Sequence, residues 1–460
     1  MQKSTYQVPK DGAKIIIVGA GCFGLSTAYA LSQRGKYDIW VYDRQSIPVP
    51  DAASTDINKA LRMEYGSATH YMNLFLEALP IWHEWNKERA KNHLVPVYHQ
   101  TGLISFAENG AFTKYELDCI SQIREAGYGH LIEELDTPEK IIERFPRFEK
   151  AVKNGFDIAV YNKEGGWCNS SESIKHLYGK CQKNGVHFVL GETEGSFDSL
   201  AFDTTDSSIV TGITTKDSII HGADLVLMAT GAWTASVIPM YGQVTATGQQ
   251  LVKFKPPKSY IDIADGRDPV WSANVSVTGF YGFPTTPEGI LKIGRHADGY
   301  LNPRNVDNIS VPRTTFTNKE DTIPIGALQH FRQFLNRFLP ETEDMDLHET
   351  RTCWYSDTID GEFLICPHPD YSNLIVATGD SGHGMKFLPN IGMKIRDVVE
   401  GIETEYTKKW MWRQPKEENV DILGRESYTH RDTLNDPSNP KTCMATLEEY
   451  KAVKRSPPSI

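Results

Sequence analysis

Four short segments of this chain carry basic and polar side chains that could act on a small anionic substrate. They are NKALRMEYG with Lys59 and Arg62, LKIGRH with Lys292 and His296, RTCWYSDT with Cys353 and Tyr355, and GDSGHGMK with His383 and Lys386. Cations gathered in one cleft can fix a carboxylate and so hold the neighbouring carbon in a defined place. The four segments therefore predict a binding site for an amino-acid-like anion.

Each segment also has an ordinary structural explanation, and the sequence leaves these alternatives open. Lys59 and Arg62 could lie on a solvated helix face, and Lys292 could point outward from a half-buried strand. Cys353 could be a small buried apolar residue. The segment GDSGHG could be a flexible turn, but it follows the strand-like NLIVATG and precedes a helix, which is a position where anions and cofactors often bind.

The segment from Lys14 to Asp43 predicts a dinucleotide-binding unit of strand, glycine turn, helix and strand. Gly19 permits a tight turn, Gly21 lets the backbone approach a pyrophosphate, and Gly24 lets the helix pack closely on the sheet. The helix N-terminus offers free N–H groups to phosphate oxygens. Asp43 ends the second strand, where it can accept hydrogen bonds from a ribose hydroxyl.

Composition places the chain among large globular proteins and excludes several classes of function. It has 460 residues and a net charge of −11, which argues against nucleic acid and against an anionic membrane surface as partners. No stretch reaches about 18 consecutive apolar residues, so no membrane span is predicted. The seven cysteines include no CxxC pair, which argues against a disulfide framework or a metal site. We expect an intracellular protein, cytoplasmic or peroxisomal.

The chain order predicts an α/β nucleotide-binding domain interrupted by a second, α+β domain. The nucleotide-binding pieces are 11–90, 165–235 and 350–402, the inserted pieces with an antiparallel sheet are 91–164 and 236–349, and the tail is 403–460. Such interruption is typical of FAD-binding oxidoreductases of the glutathione-reductase type. Locally, we predict a loop running into a short helix over 51–66 and a single strand over 98–107.

Taken together, the motifs resemble the sarcosine oxidase family, in particular its fungal branch of saccharopine, pipecolate and fructosyl-amino-acid oxidases. The resemblance covers about 14–415, and the order and spacing of the motifs make it specific. It is carried by GAGCFG, DINKALRMEYG, ATGAWTAS, LKIGRH, RTCWYSDT and ATGDSGHGMKF. It implies an FAD-dependent oxidase that converts an amine to an imine, hands electrons to O₂ and releases hydrogen peroxide.

The resemblance also implies roles for individual residues. FAD would contact Gly19, Gly21, Gly24, Asp43, Arg44, Gly382, His383, Gly384 and Lys386, and would be joined to Cys353 by a thioether. Lys59, Arg62 and Lys386 would bind the substrate. Lys292 would activate dioxygen, and His296 and Tyr355 would lie on the substrate side of the flavin. The family resemblance further implies a monomer.

Several positions depart from the pattern of the bacterial sarcosine oxidases. Lys59 replaces an arginine, so carboxylate recognition there is less bidentate. Arg295 stands in place of an aromatic residue and Met385 in place of a phenylalanine, which argues against sarcosine itself as the substrate. The substrate is therefore open among saccharopine-like, pipecolate-like, fructosyl, N-methylated and aromatic amino acids.

The sequence also leaves open two functions of other classes. A nicotinamide-dependent dehydrogenase would need the unit from Lys14 to Asp43 and would leave ATGDSGHGMK unexplained. A non-catalytic protein with a degenerate nucleotide fold would have no need of intact glycines and a full set of basic residues.

Overall fold

A computed structural model describes residues 6–264, 268–343, 345–414, 422, 431–446 and 448–449. The helices are α1 (Cys22–Ser32), α2 (Thr69–Lys91), α3 (Lys114–Glu125), α4 (Pro138–Arg144), α5 (Glu149–Lys153), α6 (Ser170–Lys183), α7 (Thr234–Val237), α8 (Lys258–Ala264), α9 (Val275–Thr278), α10 (Ile325–Phe338), α11 (Ile391–Val399) and α12 (Glu405–Lys409).

The strands are β1 (Lys14–Val18), β2 (Asp38–Asp43), β3 (Lys59–Leu61), β4 (Tyr98–His99), β5 (Leu103–Ala107), β6 (Ile132–Leu135), β7 (Ile158–Asn162), β8 (Gly166–Cys168), β9 (His187–Leu190), β10 (Phe197–Phe202), β11 (Val210–Thr215), β12 (Ile220–Gly222), β13 (Leu225–Met228), β14 (Val244–Phe254), β15 (Val270–Ala273), β16 (Phe280–Gly282), β17 (Leu291–Arg295), β18 (Tyr300–Leu301), β19 (Leu347–Thr358), β20 (Leu364–Pro367), β21 (Leu374–Thr378) and β22 (Asp432–Thr433).

A six-stranded sheet in the order β20-β21-β13-β1-β2-β9 carries the glycine turn. Its strands run parallel except β20, which is antiparallel to β21. The run IIIV of β1 is apolar throughout because both faces of the sheet are covered. Ile15 and Ile17 belong to the core that includes α1 and α11, and Ile16 and Val18 belong to the core on the opposite face.

A ten-stranded sheet forms the second layer and follows the path β22-β18-β14-β17-β16-β15-β5-β7-β6, with β19 paired to β14. Its pairs are antiparallel except β5 with β15 and β18 with β22. Leu328, Phe331, Leu335 and Phe338 of α10 pack on one face of this sheet. The predicted combination of an α/β nucleotide fold with an antiparallel-sheet region is confirmed.

Two local predictions are wrong. Residues 59–61 form strand β3 rather than a helix, because they pair with β8 more than 100 residues later, with Lys59 opposite Cys168. Residues 98–107 form two strands in two different sheets, since Gly102 interrupts the run with a φ of +76°. In both places a partner distant in sequence decides the structure, which local periodicity does not report.

The structure also bears on the membrane, metal-binding and disulfide-stabilised classes that the composition argues against. Within the described ranges, no helix combines the length and apolarity needed to cross a membrane, and no group of three or more His, Cys, Asp or Glu side chains could hold a metal ion. All seven cysteines lie in described parts of the chain, and each is free. The predicted tail, 403–460, is described over 403–414, 422, 431–446 and 448–449; its segment 431–446 adds β22 to the large sheet.

Candidate active site

Two cavities meet where the two large sheets approach each other. We call the larger, of about 510 Å³, the long cleft, and the smaller, of about 140 Å³, the inner chamber. The long cleft starts at the glycine turn after β1, while the inner chamber lies against α3 and the large sheet. The residues that line both cavities are Lys59, Tyr355, Gly382 and Met385.

The glycines after β1 form a thin wall at the N-terminus of α1. A Cβ on Gly19 would lie 2.4 Å from the carbonyl oxygen of Ala229, and a Cβ on Gly24 would lie 1.8 Å from the carbonyl oxygen of Gly19. Gly21 has ordinary space, since its nearest neighbour would be Ser54 Oγ at 3.4 Å. A diphosphate fits this wall, because Gly19 and Gly21 line the long cleft beside the free N–H groups of α1.

Asp43 and Arg44 line the same cleft at the end of β2. Asp43 Oδ2 accepts a hydrogen bond from the backbone N–H of Ala20 at 2.7 Å, which ties the acid to the glycine turn. Burial raises the pKa of Asp43 above its usual value. Arg44 donates to Asp51 at 2.6 Å, and its guanidinium lies 4.4 Å from the ring centroid of Trp233. This end offers one acid and one cation to a nucleoside.

Lys59 stands at the junction of the two cavities. Its Nζ lies 3.7 Å from the Sγ of Cys353, which is buried on β19. Burial opposes the charge of Lys59, but the neighbouring groups Cys353 and Asp56 hold its pKa above the usual value. Cys353 is not among the described residues that line either cavity, although its neighbours Trp354 and Tyr355 are.

Arg62 presents a charged group to the inner chamber. Its guanidinium lies 4.8 Å from the ring centroid of Tyr65, and no described residue forms a hydrogen bond with it. Burial disfavours this charge, yet the surrounding Tyr115, Tyr65 and Glu64 raise the pKa of Arg62, so it stays protonated. A half-buried cation without a hydrogen-bonded partner is a ready binding point for a carboxylate.

Lys386 lies in the same chamber within a connected set of hydrogen bonds. Its Nζ donates to the hydroxyl of Tyr65 and to the carbonyl of His383, both at 2.9 Å. The Tyr65 hydroxyl lies 3.0 Å from His383 Nδ1, and His383 Nε2 lies 3.0 Å from the carbonyl of Gly361. Since that carbonyl can accept but not donate, His383 carries its proton on Nε2 and accepts from Tyr65.

The pKa shifts of this set follow from its burial. Burial and the nearby Lys386 hold the pKa of His383 well below its usual value, so the ring is neutral. Burial and the nearby Arg62 also hold the pKa of Lys386 well below its usual value. An incoming carboxylate would restore the charge of Lys386, because an anion within contact favours the ammonium form.

Aromatic and acidic side chains complete the chamber. The rings of His296 and Tyr355 lie edge to face with centroids 5.4 Å apart, and burial raises the pKa of Tyr355 well above its usual value. Further wall residues are Phe112, Tyr115, Trp271, Tyr281 and Phe283, together with the acids Glu64 and Glu116. Burial raises the pKa of Glu116, whose carboxylate accepts from Ser276 Oγ at 2.9 Å.

Lys292 lies beside the chamber rather than in its wall. The side chain is 1% exposed on β17, and its Nζ lies 5.0 Å from the ring centroid of Phe283. The alternative that Lys292 points outward into solvent is therefore wrong: the sheet is covered on both sides here. Nζ donates to Asp56 Oδ2 at 2.6 Å and to the carbonyl of Asn58 at 2.8 Å. Burial lowers the pKa of Lys292 to about 8.

The structure brings most of the sequence-predicted residues to these two cavities. Gly19, Gly21, Asp43, Arg44, Gly382 and Gly384 line the long cleft, while Lys59, Arg62, His296, Tyr355, Gly382, His383 and Lys386 line the inner chamber. Gly24, Lys292 and Cys353 lie outside both walls.

Sequence reasoning missed three polar groups at this site: Asp56, Tyr65 and Glu116. Asp56 and Tyr65 stand in the same short segment as Lys59 and Arg62, so the segment itself could have pointed to them. Glu116 lies on an ordinary amphipathic helix, α3, and nothing in its local sequence marks it.

The glycine turn, the acid after β2 and the second glycine segment beside the cleft define a flavin-dependent oxidoreductase. Residues 14–398 match the family described as FAD dependent oxidoreductase, and the chain belongs to that family. This match favours FAD over the nicotinamide alternative. The chain is an enzyme of the FAD-dependent amine oxidase type, as its relatives are named oxidases of that type.

Among individual relatives, the chain is 31% identical to L-saccharopine oxidase of Schizosaccharomyces pombe over 419 residues, covering 87% of this chain and 93% of that protein. It is 23% identical to monomeric sarcosine oxidase of Bacillus sp. (strain B-0618), covering 85% and 93%. The fold superposes on a modified fructosyl peptide oxidase from Aspergillus nidulans in complex with FSA, with a TM-score of 0.82 and 27% identity over 93% of this chain and 99% of that one.

Proposed function

We propose that this protein is an FAD-dependent oxidase of a secondary-amine amino acid, releasing an imine and hydrogen peroxide. The observation that carries the proposal is the shared wall of the two cavities, where Lys59, Tyr355, Gly382 and Met385 separate a cationic chamber from a dinucleotide cleft. Bound FAD would accept the hydride of the carbon next to nitrogen and pass the electrons to dioxygen. The relatives' names support this class of reaction.

Arg62 and Lys386 bind the substrate carboxylate in this proposal. Arg62 has no hydrogen-bonded partner among the described residues, and its planar fork suits a carboxylate. Lys386 is fixed by Tyr65 and by the carbonyl of His383, so its third N–H can be directed at the anion. A carboxylate held by both cations directs the adjacent C–H toward the shared wall, which is a positioning effect.

The same cations prepare the amine for oxidation. A secondary amine loses hydride readily only when it is neutral, and nearby positive charge lowers the pKa of an ammonium group. Lys59, Arg62 and Lys386 supply that charge, while the neutral His383 adds none. The chamber therefore favours the reactive form of the amine without a dedicated base.

We further propose that Cys353 is the point of covalent attachment to the flavin and that Lys292 assists the reaction with dioxygen. The position of Cys353 supports the first proposal, since its Sγ lies 3.7 Å from the Nζ of Lys59, which lines both cavities. Burial of Lys292 beside Lys59 supports the second, because a desolvated cation stabilises a forming oxygen anion more strongly than a solvated one.

The chamber walls support two substrate types within this class. Its cations and the match to L-saccharopine oxidase favour a substrate with an N-linked dicarboxylic part, such as saccharopine. Its aromatic wall of Tyr115, Trp271, Tyr281 and Phe283 favours an N-methylated aromatic amino acid instead. Fructosyl amino acids remain a third type, supported by the fold comparison.

A peroxide-coupled screen of these amino acids tests the proposal. The purified flavoprotein should produce peroxide with at least one secondary-amine amino acid. The same amine without its carboxylate should react far more slowly. The proposal fails if every secondary-amine amino acid tested gives no peroxide while a simple alcohol or a nicotinamide cofactor reduces the flavin.

A further inference from the structure

Asp56 is a fully buried acid beside the candidate active site. Its side chain is 0% exposed, and Oδ2 lies 2.6 Å from the Nζ of Lys292, itself 1% exposed. The second oxygen, Oδ1, accepts from the backbone N–H of Ile57 at 2.7 Å and lies 3.6 Å from Lys253 Nζ. A buried ion pair of this kind is costly to break, because removing one partner leaves an uncompensated charge.

The backbone of Asp56 is held as firmly as its side chain. Ser170 Oγ and Ser171 Oγ, at the start of α6, both donate to the carbonyl of Asp56, at 2.7 and 2.8 Å. The backbone N–H of Ser171 donates to the same oxygen at 3.1 Å. These contacts fix the carboxylate in space, so Asp56 in turn fixes the ammonium that it contacts.

We propose that Asp56 is a positioning residue that keeps the ammonium of Lys292 charged and fixed beside Lys59, and thereby governs the reaction of the reduced enzyme with dioxygen. This inference rests on the proposed role of Lys292. The geometry supports it because Asp56 and the carbonyl of Asn58 take two of the three Nζ hydrogens of Lys292. No described residue accepts the third hydrogen, and Nζ lies 5.0 Å from the ring centroid of Phe283, which lines the inner chamber.

Charged and titratable groups on every element packed against the pair of Asp56 and Lys292 act on it. Asp56 and Lys292 face Lys59 on β3, Cys168 on β8, Lys253 on β14, Tyr281 on β16, and Arg351 and Cys353 on β19. The cations outnumber the acid, which explains why burial and Lys59 together depress the pKa of Lys292 to about 8 despite the carboxylate. Loss of the Asp56 charge would depress it further.

Asp56→Asn tests the proposal, because asparagine keeps an oxygen acceptor but removes the negative charge. The holoenzyme is reduced photochemically, with oxalate as the electron donor, and mixed with O₂ at a series of pH values. In the wild type, the reoxidation rate should fall as pH rises through about 8, as Lys292 loses its proton. In Asp56→Asn this fall should begin at least one pH unit lower, so the rate at pH 8 drops at least about fivefold.

A second measurement follows the charge of Lys292 in the absence of turnover. The absorption spectrum of the oxidised flavin responds to a nearby ionisation, so its pH titration should show the same midpoint and the same downward shift in Asp56→Asn. Glu349→Gln is the matched control, because it removes a half-exposed carboxylate that pairs with Lys253 and leaves the Asp56 contact intact. It should behave like the wild type.

An unchanged pH profile in Asp56→Asn overturns the proposal, as does an equal shift in Glu349→Gln. If Asp56→Asn does not retain flavin, Lys253→Gln replaces it: loss of this cation, 3.6 Å from Asp56, should move the midpoint upward, and no movement overturns the proposal. Photochemical reduction needs no amine, so failure of every amine substrate would refute the proposed function and leave this test unaffected.

Discussion

Arg62 is the residue on which substrate recognition depends most directly. Its guanidinium faces the inner chamber without a hydrogen-bonded partner among the described residues, although its neighbours keep it charged. Such an arrangement is stable only because protein charges nearby offset the cost of burial. The bound carboxylate supplies the partner that the folded chain does not.

Replacing Arg62 with methionine should therefore weaken substrate binding strongly. We expect kcat/KM to fall by about 10²- to 10³-fold, mainly through KM, since two charge-assisted hydrogen bonds are lost. Steady-state kinetics on the best amino acid of the screen measures the effect. Arg304→Met, which removes a surface ion pair with Asp307, is the control. With an analogue that lacks the carboxylate, Arg62→Met and the wild type should have the same kcat/KM. An equal fall in kcat/KM with that analogue would contradict the role of Arg62 in binding the carboxylate.

Cys353 makes a second prediction at the scale of a single residue. Acid precipitation of the wild type should leave the yellow colour in the pellet, whereas precipitation of Cys353→Ala should release flavin into the supernatant. Cys366→Ala, which removes another buried cysteine on β20, should behave like the wild type. Release of flavin from the wild type itself would rule out the covalent bond.

At the scale of elements, the contact between β1 and α1 shapes the dinucleotide cleft. In Gly24→Ala the new Cβ would overlap the carbonyl of Gly19, so we expect a loss of about 3 kcal/mol in the free energy of unfolding. Flavin retention should fall as well. Gly179→Ala lies in the open on α6 and should stabilise the protein by about 0.5–1 kcal/mol.

Urea denaturation and the flavin-to-protein ratio measure both variants of this pair. The comparison separates a steric effect at the turn from the general effect of adding a methyl group to a helix. If Gly24→Ala is as stable as the wild type and keeps its flavin, the close contact of helix and turn is required neither for stability nor for flavin binding.

Elements built from neighbouring residues could be predicted from the sequence, and elements built from distant pairs could not. The unit of β1, α1 and β2 is local, and its residues match the structure. The sequence predicts a helix where strand β3 lies, because the pairing of β3 with β8 cannot be recognised from neighbouring residues. The wall of α3 around the inner chamber was also missed, since an amphipathic helix does not reveal what it packs against.

At the scale of the whole molecule, the site depends on parts of the chain that are far apart. Asp56 and Lys292 are 236 residues apart in sequence yet 2.6 Å apart in space. The six-stranded sheet takes strands from 14–43, 187–190, 225–228 and 364–378. On this basis we propose 11–90, 165–235 and 350–402 as the FAD-binding domain and 91–164 and 236–349 as the substrate domain. The order of the motifs along the chain could suggest this interleaving of domains, but only the folded structure shows which charged residues pair.

The central claim is that the cationic chamber and the dinucleotide cleft form one site for amine oxidation. The most direct measurement is the visible absorption of the flavin when a secondary-amine amino acid is added without oxygen. We predict that the colour bleaches and returns on admission of air, with one hydrogen peroxide formed for each flavin. The claim would be contradicted if the colour persisted with every such amino acid although dithionite still bleached the flavin.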